Sequence, residues 1–258
     1  MITSLKNDKV RLVRALQSRR RSREQEAALV VEGVRLCEEA VQAALVPRFA
    51  LYTQAMETDS RAAPLLAVWK AAGVECCQVS EPVMAACSDT ESPSGLLTVL
   101  PAPHLPLPTA PTLTLVLDRL RDPGNLGTIL RTAWAAGADQ VLLASGTVDA
   151  TNPKVMRAGA GAHFRLPIAA LSWDAIAENV RCPVYLAAAG AQRSYTDVDW
   201  SAPSALIIGG EAAGPAPRAY DLAAEIISIP MAAGVESLNA AIASAVILFE
   251  ATRQRRRA

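Results

Sequence analysis

Residues 112–137 read TLTLVLDRLRDPGNLGTILRTAWAAG, and this stretch decides the fold. TLTLVLD is apolar enough to be covered on both faces, as a strand inside a parallel sheet is. Pro123 and Gly124 then fix a tight turn, Asn125 is placed to begin a helix, and Gly137 closes it. Strand, turn and helix in that order make half of a βαβ unit. The alternation continues outward toward the C-terminus: QVLLAS, RLPIA, PVYLAAA, SALIIGG and EIISIP read as strands, and TNPKVMRAGAGAHF as a loop and helix. A final helix is expected from about Ser237 to Arg253. Apolar strands separated by helices predict an α/β fold with a mostly parallel sheet and helices on both faces. Ligands of such sheets lie beyond the carboxyl ends of the strands, so the informative loops are those after Leu117, Ile208 and Ile229.

In the other direction, PAPHLPLPTAP (residues 101–111) holds five prolines and can join neither a helix nor a central strand. It predicts a linker, with a small α/β domain over residues 1–100 and a larger one over residues 112–258. In the small domain, residues 5–28 look helical. Residues 27–46 read as a short strand, a glycine turn and an amphipathic helix, and RFALYT, GVECCQVS and GLLTVL continue the pattern.

Composition sets the outer bounds. The 258 residues are 51% hydrophobic and 19% charged, which excludes a disordered chain, and no apolar run approaches the length a membrane helix needs. The basic start lacks an apolar segment behind it and so is not a secretory signal, although a mitochondrial-type presequence remains open. Five cysteines without a CxxC pair and two distant histidines, His104 and His163, disfavour a disulfide framework or a zinc site and fit a reducing cytoplasm. Lysine plus arginine equal aspartate plus glutamate at 25 each, yet residues 1–35 carry nine basic and four acidic residues, and residues 253–258 add four arginines. Two basic poles on an acidic body are expected where phosphate contacts are confined to particular surfaces, although a solvated helix face and a frayed tail would give the same pattern.

Each of the three loops has a plain reading when taken alone. Asn125, Ser237 or Asn239 could cap helices, and Glu211 could sit at a helix N-terminus. Gly209-Gly210-Glu211-Ala212-Ala213-Gly214-Pro215 lets backbone approach a ligand, but it lacks the GxGxxG spacing of a dinucleotide fold, and no GKS or GKT follows.

Their order and spacing together are more specific. DPGNLGTILRTAWAAG, IIGGEAAGP and IPMAAGVESLNAAIASAVILFEATRQR resemble the three motifs of the SpoU (TrmH-like) family of RNA ribose 2′-O-methyltransferases, in the SPOUT superfamily. Residues 5–100 look like the L30e-like RNA-binding domain that precedes the catalytic domain in rRNA-modifying members. The resemblance implies an α/β-knot, a deep trefoil knot that binds S-adenosyl-L-methionine, and a homodimer formed through the knotted domain. It implies cofactor contacts at Gly209, Gly210, Glu211, Ile229, Met231, Leu238 and Asn239, and catalytic or organising roles for Asn125, Arg131, Glu211, Ser237 and Asn239. Arg131 and Arg253 match arginines that reach RNA phosphate. Arg255 and the run Arg19, Arg20 and Arg21 are further expected RNA contacts, on charge and position. The expected substrate is rRNA, with tRNA or a non-catalytic RNA-binding role as alternatives, and no metal or membrane partner is expected.

Overall fold

The computed structural model describes residues 1–210 and 214–257. In chain order the elements are α1 (Asp8–Ser18), α2 (Arg20–Glu26), β1 (Ala28–Glu32), α3 (Val34–Gln42), β2 (Phe49–Tyr52), α4 (Ala62–Ala71), β3 (Glu75–Gln78), α5 (Glu81–Cys87) and β4 (Leu96–Pro101). There follow β5 (Leu113–Asp118), α6 (Pro123–Ala136), β6 (Gln140–Ala144), α7 (Pro153–Gly159), β7 (Ile168–Leu171), α8 (Trp173–Asn179), β8 (Val184–Ala187), β9 (Arg193–Ser194), β10 (Ser204–Gly209), α9 (Pro217–Leu222), β11 (Glu225–Ser228) and α10 (Ala240–Arg255), with short 3₁₀ turns between some of them. The chain divides into two compact units. One is Met1–Pro103 together with Thr151–Phe164, and the other is His104–Ala150 together with Arg165 to the C-terminus.

The first unit is built on a four-stranded sheet in the order β1-β4-β2-β3, with β4 antiparallel to β1 and β2, and β2 parallel to β3. Successive side chains of a strand point to opposite faces, and here both faces are covered. Leu29, Val31, Ala50, Tyr52, Leu96 and Leu100 pack with residues of α3 and α4, while Val30, Phe49, Leu51, Leu97 and Val99 pack with α1 and α5. Gly33 sits at φ +96° in the turn between β1 and α3, a conformation that favours glycine. The helix expected over residues 5–28 is instead two helices. Arg19 is extended at their junction, and the buried Arg23 folds back to donate from Nη1 to the carbonyl of Leu16 at 2.8 Å.

The second unit is a seven-stranded sheet in the order β7-β6-β5-β10-β8-β11-β9, and every strand pair in it is parallel. Val116, Leu142, Ala205 and Ile207 face one way and pack with α8 and α9 residues such as Ile176 and Ala219. Leu115, Leu117, Val141, Leu206 and Ile208 point the other way and are equally buried, on the side where α10 packs against β10 and α6. The expected mostly parallel sheet with helices on both faces is therefore present. The chain leaves the edge at β9 and returns to the middle as β10, between β5 and β8. The turn into α6 is capped by Asp122, whose carboxylate accepts the Asn125 N–H at 2.7 Å, so the helix starts at Pro123 and not at Asn125. The last helix begins three residues later than expected, at Ala240, because Asn239 caps it by accepting the N–H groups of Ala241 and Ile242.

One segment departs from the domain plan read along the sequence. Residues 151–164, expected within the larger domain, pack in the first unit. Met156 and Phe164 enter its apolar core beside Leu36, Leu65 and Trp69, Arg157 pairs with Asp89 at 3.0 Å, and Arg23 donates from Nε to Thr151 at 3.0 Å. Burial of two large side chains outweighs sequence proximity. Pro101 also belongs to β4, and the Ala102 N–H bonds the Ala27 carbonyl, so the linker starts later than the prolines suggest. Phe164→Ala is expected to cost about 3 to 5 kcal/mol through loss of the buried ring. Hydrogen exchange should show the lost protection in β1, β4 and α3 of the first unit, and denaturant unfolding should give the magnitude.

Candidate active site

Three loops leave the carboxyl ends of β5, β10 and β11, and all three contribute to one region of the second unit. The β5 loop is held by Asp118, which is fully buried at the end of its strand. Its Oδ2 accepts the Ala216 N–H at 2.6 Å, and its Oδ1 lies 3.6 Å from the Arg119 Nε. Arg119 adopts φ +54°, and its Nη2 donates to the Gly214 carbonyl at 2.8 Å. One carboxylate and one guanidinium therefore tie the β5 loop to the C-terminal end of the glycine loop after β10. A buried carboxylate needs a counter-charge and hydrogen bonds; here Oδ2 has the hydrogen bond, and Oδ1 has the Arg119 ion pair without one. Neither Asp118 nor Arg119 is marked out by the sequence motifs. The available signal was a charged residue ending an otherwise apolar strand.

The glycine loop closes on itself through a bridge between Gly210 and Gly214. A Cβ at Gly210 would stand 2.5 Å from the Arg119 carbonyl oxygen, and one at Gly209 would stand 2.8 Å from Pro215 Cγ and 2.9 Å from its nitrogen. Only glycine fits at either position, for reasons of close approach.

The glycine loop and the β11 loop, with the β8 end and the start of α10, line a cleft of about 590 Å³. Gly209, Gly210, Ile229, Met231, Ser237, Leu238 and Asn239 all line it, alongside Ala187, Ala188 and Tyr220. Every described residue named as a cofactor contact is thus in one place, while Glu211 lies outside the described residues. Asn125 is joined to this group through its Oδ1, which accepts a 3.1 Å hydrogen bond from the Asn239 Nδ2. Asn239 therefore caps α10 and links the first loop to the third at once. Gly234, in the third loop, sits at φ +89°.

Arg131 is placed differently. It is exposed on α6, outside the residues lining the cleft, and has no ion-pair partner among the described residues. Six residues from Asn125, it lies about 9 Å farther along the helix and roughly 120° around it. Arg253 is engaged by Glu250 in two hydrogen bonds of 2.7 and 2.6 Å, which hold the Glu250 carboxyl down at about 2. Arg255, expected to contact RNA, instead donates to the carbonyls of Trp200, Ala202 and Thr112, and burial pushes its guanidinium down. It is a clasp between the end of α10 and the loops before β5 and β10. Arg19 and Arg21 are exposed, and Arg20 pairs with Glu24 at 2.7 Å.

The cysteines are all free, and burial raises each thiol, Cys37 to about 12 and Cys87 to about 11. Among the described residues there is no group of three His, Cys, Asp or Glu that could hold a metal, and no helix is long and apolar enough to cross a membrane.

Comparison with known proteins agrees with this geometry. A model of the SpoU rRNA methylase family matches residues 112–249, and one described as an MRM3-like substrate binding domain matches residues 7–98. The chain belongs to the SpoU rRNA methylase family. It is 32% identical over 251 residues to the 23S rRNA (guanosine(2553)-2′-O)-methyltransferase RlmP of Bacillus subtilis, covering 96% of this chain and 97% of that one. It is also 32% identical over 296 residues to the human mitochondrial rRNA methyltransferase 3, covering 91% of this chain and 69% of that protein. Among solved structures, the AdoMet-bound rRNA methyltransferase of Sinorhizobium meliloti superposes with a TM-score of 0.85 at 30% identity, covering 98% of this chain and 97% of that one.

The cleft fits the methyl donor of that family, S-adenosylmethionine. Glycines that tolerate no Cβ leave backbone groups open to a ligand, and the apolar wall of Ile229, Met231 and Leu238 suits an adenine ring. Gly210→Ala is expected to force the two loops apart, costing about 1 to 3 kcal/mol of stability. Calorimetry should show S-adenosylmethionine binding weakened at least tenfold (about 1.4 kcal/mol) while circular dichroism stays native.

Proposed function

We propose that this protein transfers the methyl group of S-adenosylmethionine to a ribose 2′-hydroxyl of ribosomal RNA. The observation that carries the reading is that two of the three family loops line one cleft and the first is joined to its edge by the Asn239–Asn125 hydrogen bond. The cofactor supplies an electrophilic methyl on a sulfonium that is already a good leaving group. This chain's own residues have to place the attacking hydroxyl in line, and positioning alone contributes several kcal/mol to such a step. A guanidinium is a planar fork of hydrogen-bond donors with no acceptor, so the role of Arg131 is to clamp a substrate phosphate and orient the hydroxyl rather than to act as a free base. Ser237 lines the cleft and is within the region where a ribose would sit, with Asn125 and Asn239 organising the loops around it. Glu211 would complete the glycine loop.

Residues 1–100 would select the RNA, with phosphate contacts from Arg19, Arg21 and Arg253 adding affinity without sequence information. Aromatic residues are few there (Phe49, Tyr52 and Trp69), and all three are buried, which argues against base stacking as the main mode. Both relatives described above carry rRNA methyltransferase names, which supports rRNA over tRNA. Five unpaired thiols suit a reducing cytoplasm.

The protein would act as a homodimer through its second unit. Along α10, Ile242 and Phe249 are 54% and 50% exposed, with the half-buried Val246 between them, and Leu238 continues the stripe. An apolar stripe of that kind on a surface helix marks an interface. Arg131, which lies off the cleft of its own chain, would then have a second cleft to serve.

Arg131→Ala should keep S-adenosylmethionine binding and lose methyl transfer by at least a hundredfold. Calorimetry and a tritiated-methyl assay on 23S rRNA separate the two, and full transfer by the variant would remove Arg131 from the mechanism. Phe249→Glu should shift sedimentation from twice 27.2 kDa toward the single-chain mass. Ribose-methylation mapping of total RNA with and without the protein identifies the nucleotide, and a site lost only from tRNA would overturn the rRNA reading.

A further inference from the structure

The first unit holds a second concave feature, a groove of about 840 Å³ between α1 and the end of α5. Arg11, Arg14, Gln17 and Arg19 line one side, and Ala86–Asp89 the other. It contains two acidic residues, Asp8 and Asp89, and each already has a cation: Arg11 lies 3.5 Å from Asp8, and Arg157 lies 3.0 Å from Asp89. Arg14 and Arg19 are exposed and have no ion-pair partner among the described residues. The extended backbone of Arg19 breaks the helix there, so its side chain leaves from the junction rather than from the α1 face. Gln17 is fixed from the opposite side: its Nε2 donates to the Cys87 carbonyl at 3.2 Å, and its Oε1 is left without a hydrogen-bond donor.

We infer that this groove is a docking site for an RNA strand, with Arg14 and Arg19 meeting successive phosphates. The inference rests on the RNA reading proposed above and gives it a location. Arg11 to Arg19 span about 12 Å at the helical rise, which corresponds to three or four nucleotides at roughly 3.4 Å each. That length, and an open groove with two free cations spread along it, suit a chain of phosphates better than a single anion, which is held by clustered backbone N–H groups.

The test uses full-length protein and filter binding to in-vitro-transcribed 23S rRNA across a salt series. Arg14→Ala/Arg19→Ala should weaken binding at least tenfold and reduce the slope of log affinity against log salt by about 1.4 to 1.8, the release expected for two phosphate contacts. S-adenosylmethionine binding should be unchanged. Arg48→Ala, a basic residue of the same unit outside the groove, should have little effect on the slope. An unchanged affinity and slope in the double arginine variant would overturn the groove, as would equal losses in the double variant and Arg48→Ala. If wild-type protein itself fails to bind or methylate 23S rRNA, it is the functional reading that fails. If wild-type binds and the double variant binds equally well, only the groove fails. Displacement of inorganic phosphate from the groove with no change in RNA affinity would make it a small-anion site and also overturn the proposal.

Discussion

The carboxylate of Asp118 is the constraint on which the active region depends. It is buried at the end of a central strand, where an unpaired charge would cost several kcal/mol. Its two partners lie on different loops: the Ala216 N–H beyond the glycine turn, and the Arg119 guanidinium, which in turn reaches the Gly214 carbonyl. Satisfying this one charge therefore fixes the relative position of the β5 loop and the glycine loop. The positive φ of Arg119 is tolerated because the same contacts that need it also hold it. From that fixed pair of loops, Asn125 and Asn239 carry the order on to the third, and the cleft follows.

Two kinds of residue share the work around the cleft. Glycines and apolar side chains shape a wall with little charge, which suits the binding of an adenine and a cation without competing ion pairs. Polar groups are held at the margin by contacts that also cap or clasp helices, as Asn239 does for α10 and Arg255 does for its last turn. Arg131 is the exception, an exposed cation on α6 with no ion-pair partner among the described residues.

Much of this was legible in the sequence. Six of the seven strands of the second unit and the three loops follow from apolar runs and turn residues, because a buried parallel strand and a glycine turn leave local marks. By contrast, β9 is two polar residues and leaves none, and the positions expected to meet the cofactor come from the resemblance of the motifs to the SpoU family. What the sequence did not display was anything set by partners distant along the chain. Asp122 rather than Asn125 caps α6 because its side chain is oriented to reach the third N–H, which no spacing rule distinguishes. The break at Arg19 depends on Arg23 finding Leu16 and Thr151. The clasp made by Arg255 is invisible in an arginine-rich tail that reads as a phosphate contact. The weight of Asp118 appears only once its hydrogen-bond donor, the Ala216 N–H nearly a hundred residues on, is known.

The placement of Met156 and Phe164 bears on how the molecule is made. During synthesis the chain through β4 emerges with its sheet complete but one side of its core still open, and two of the residues that fill it arrive only after the first strands of the second unit have been translated. The amino-terminal half cannot reach its final stability as an independent unit, and a cut at the proline-rich junction would leave both fragments with uncovered apolar surface. The two halves are thus sewn together by the chain itself, so that insertion, exchange or loss of the amino-terminal module in evolution would have to carry residues 151–164 with it.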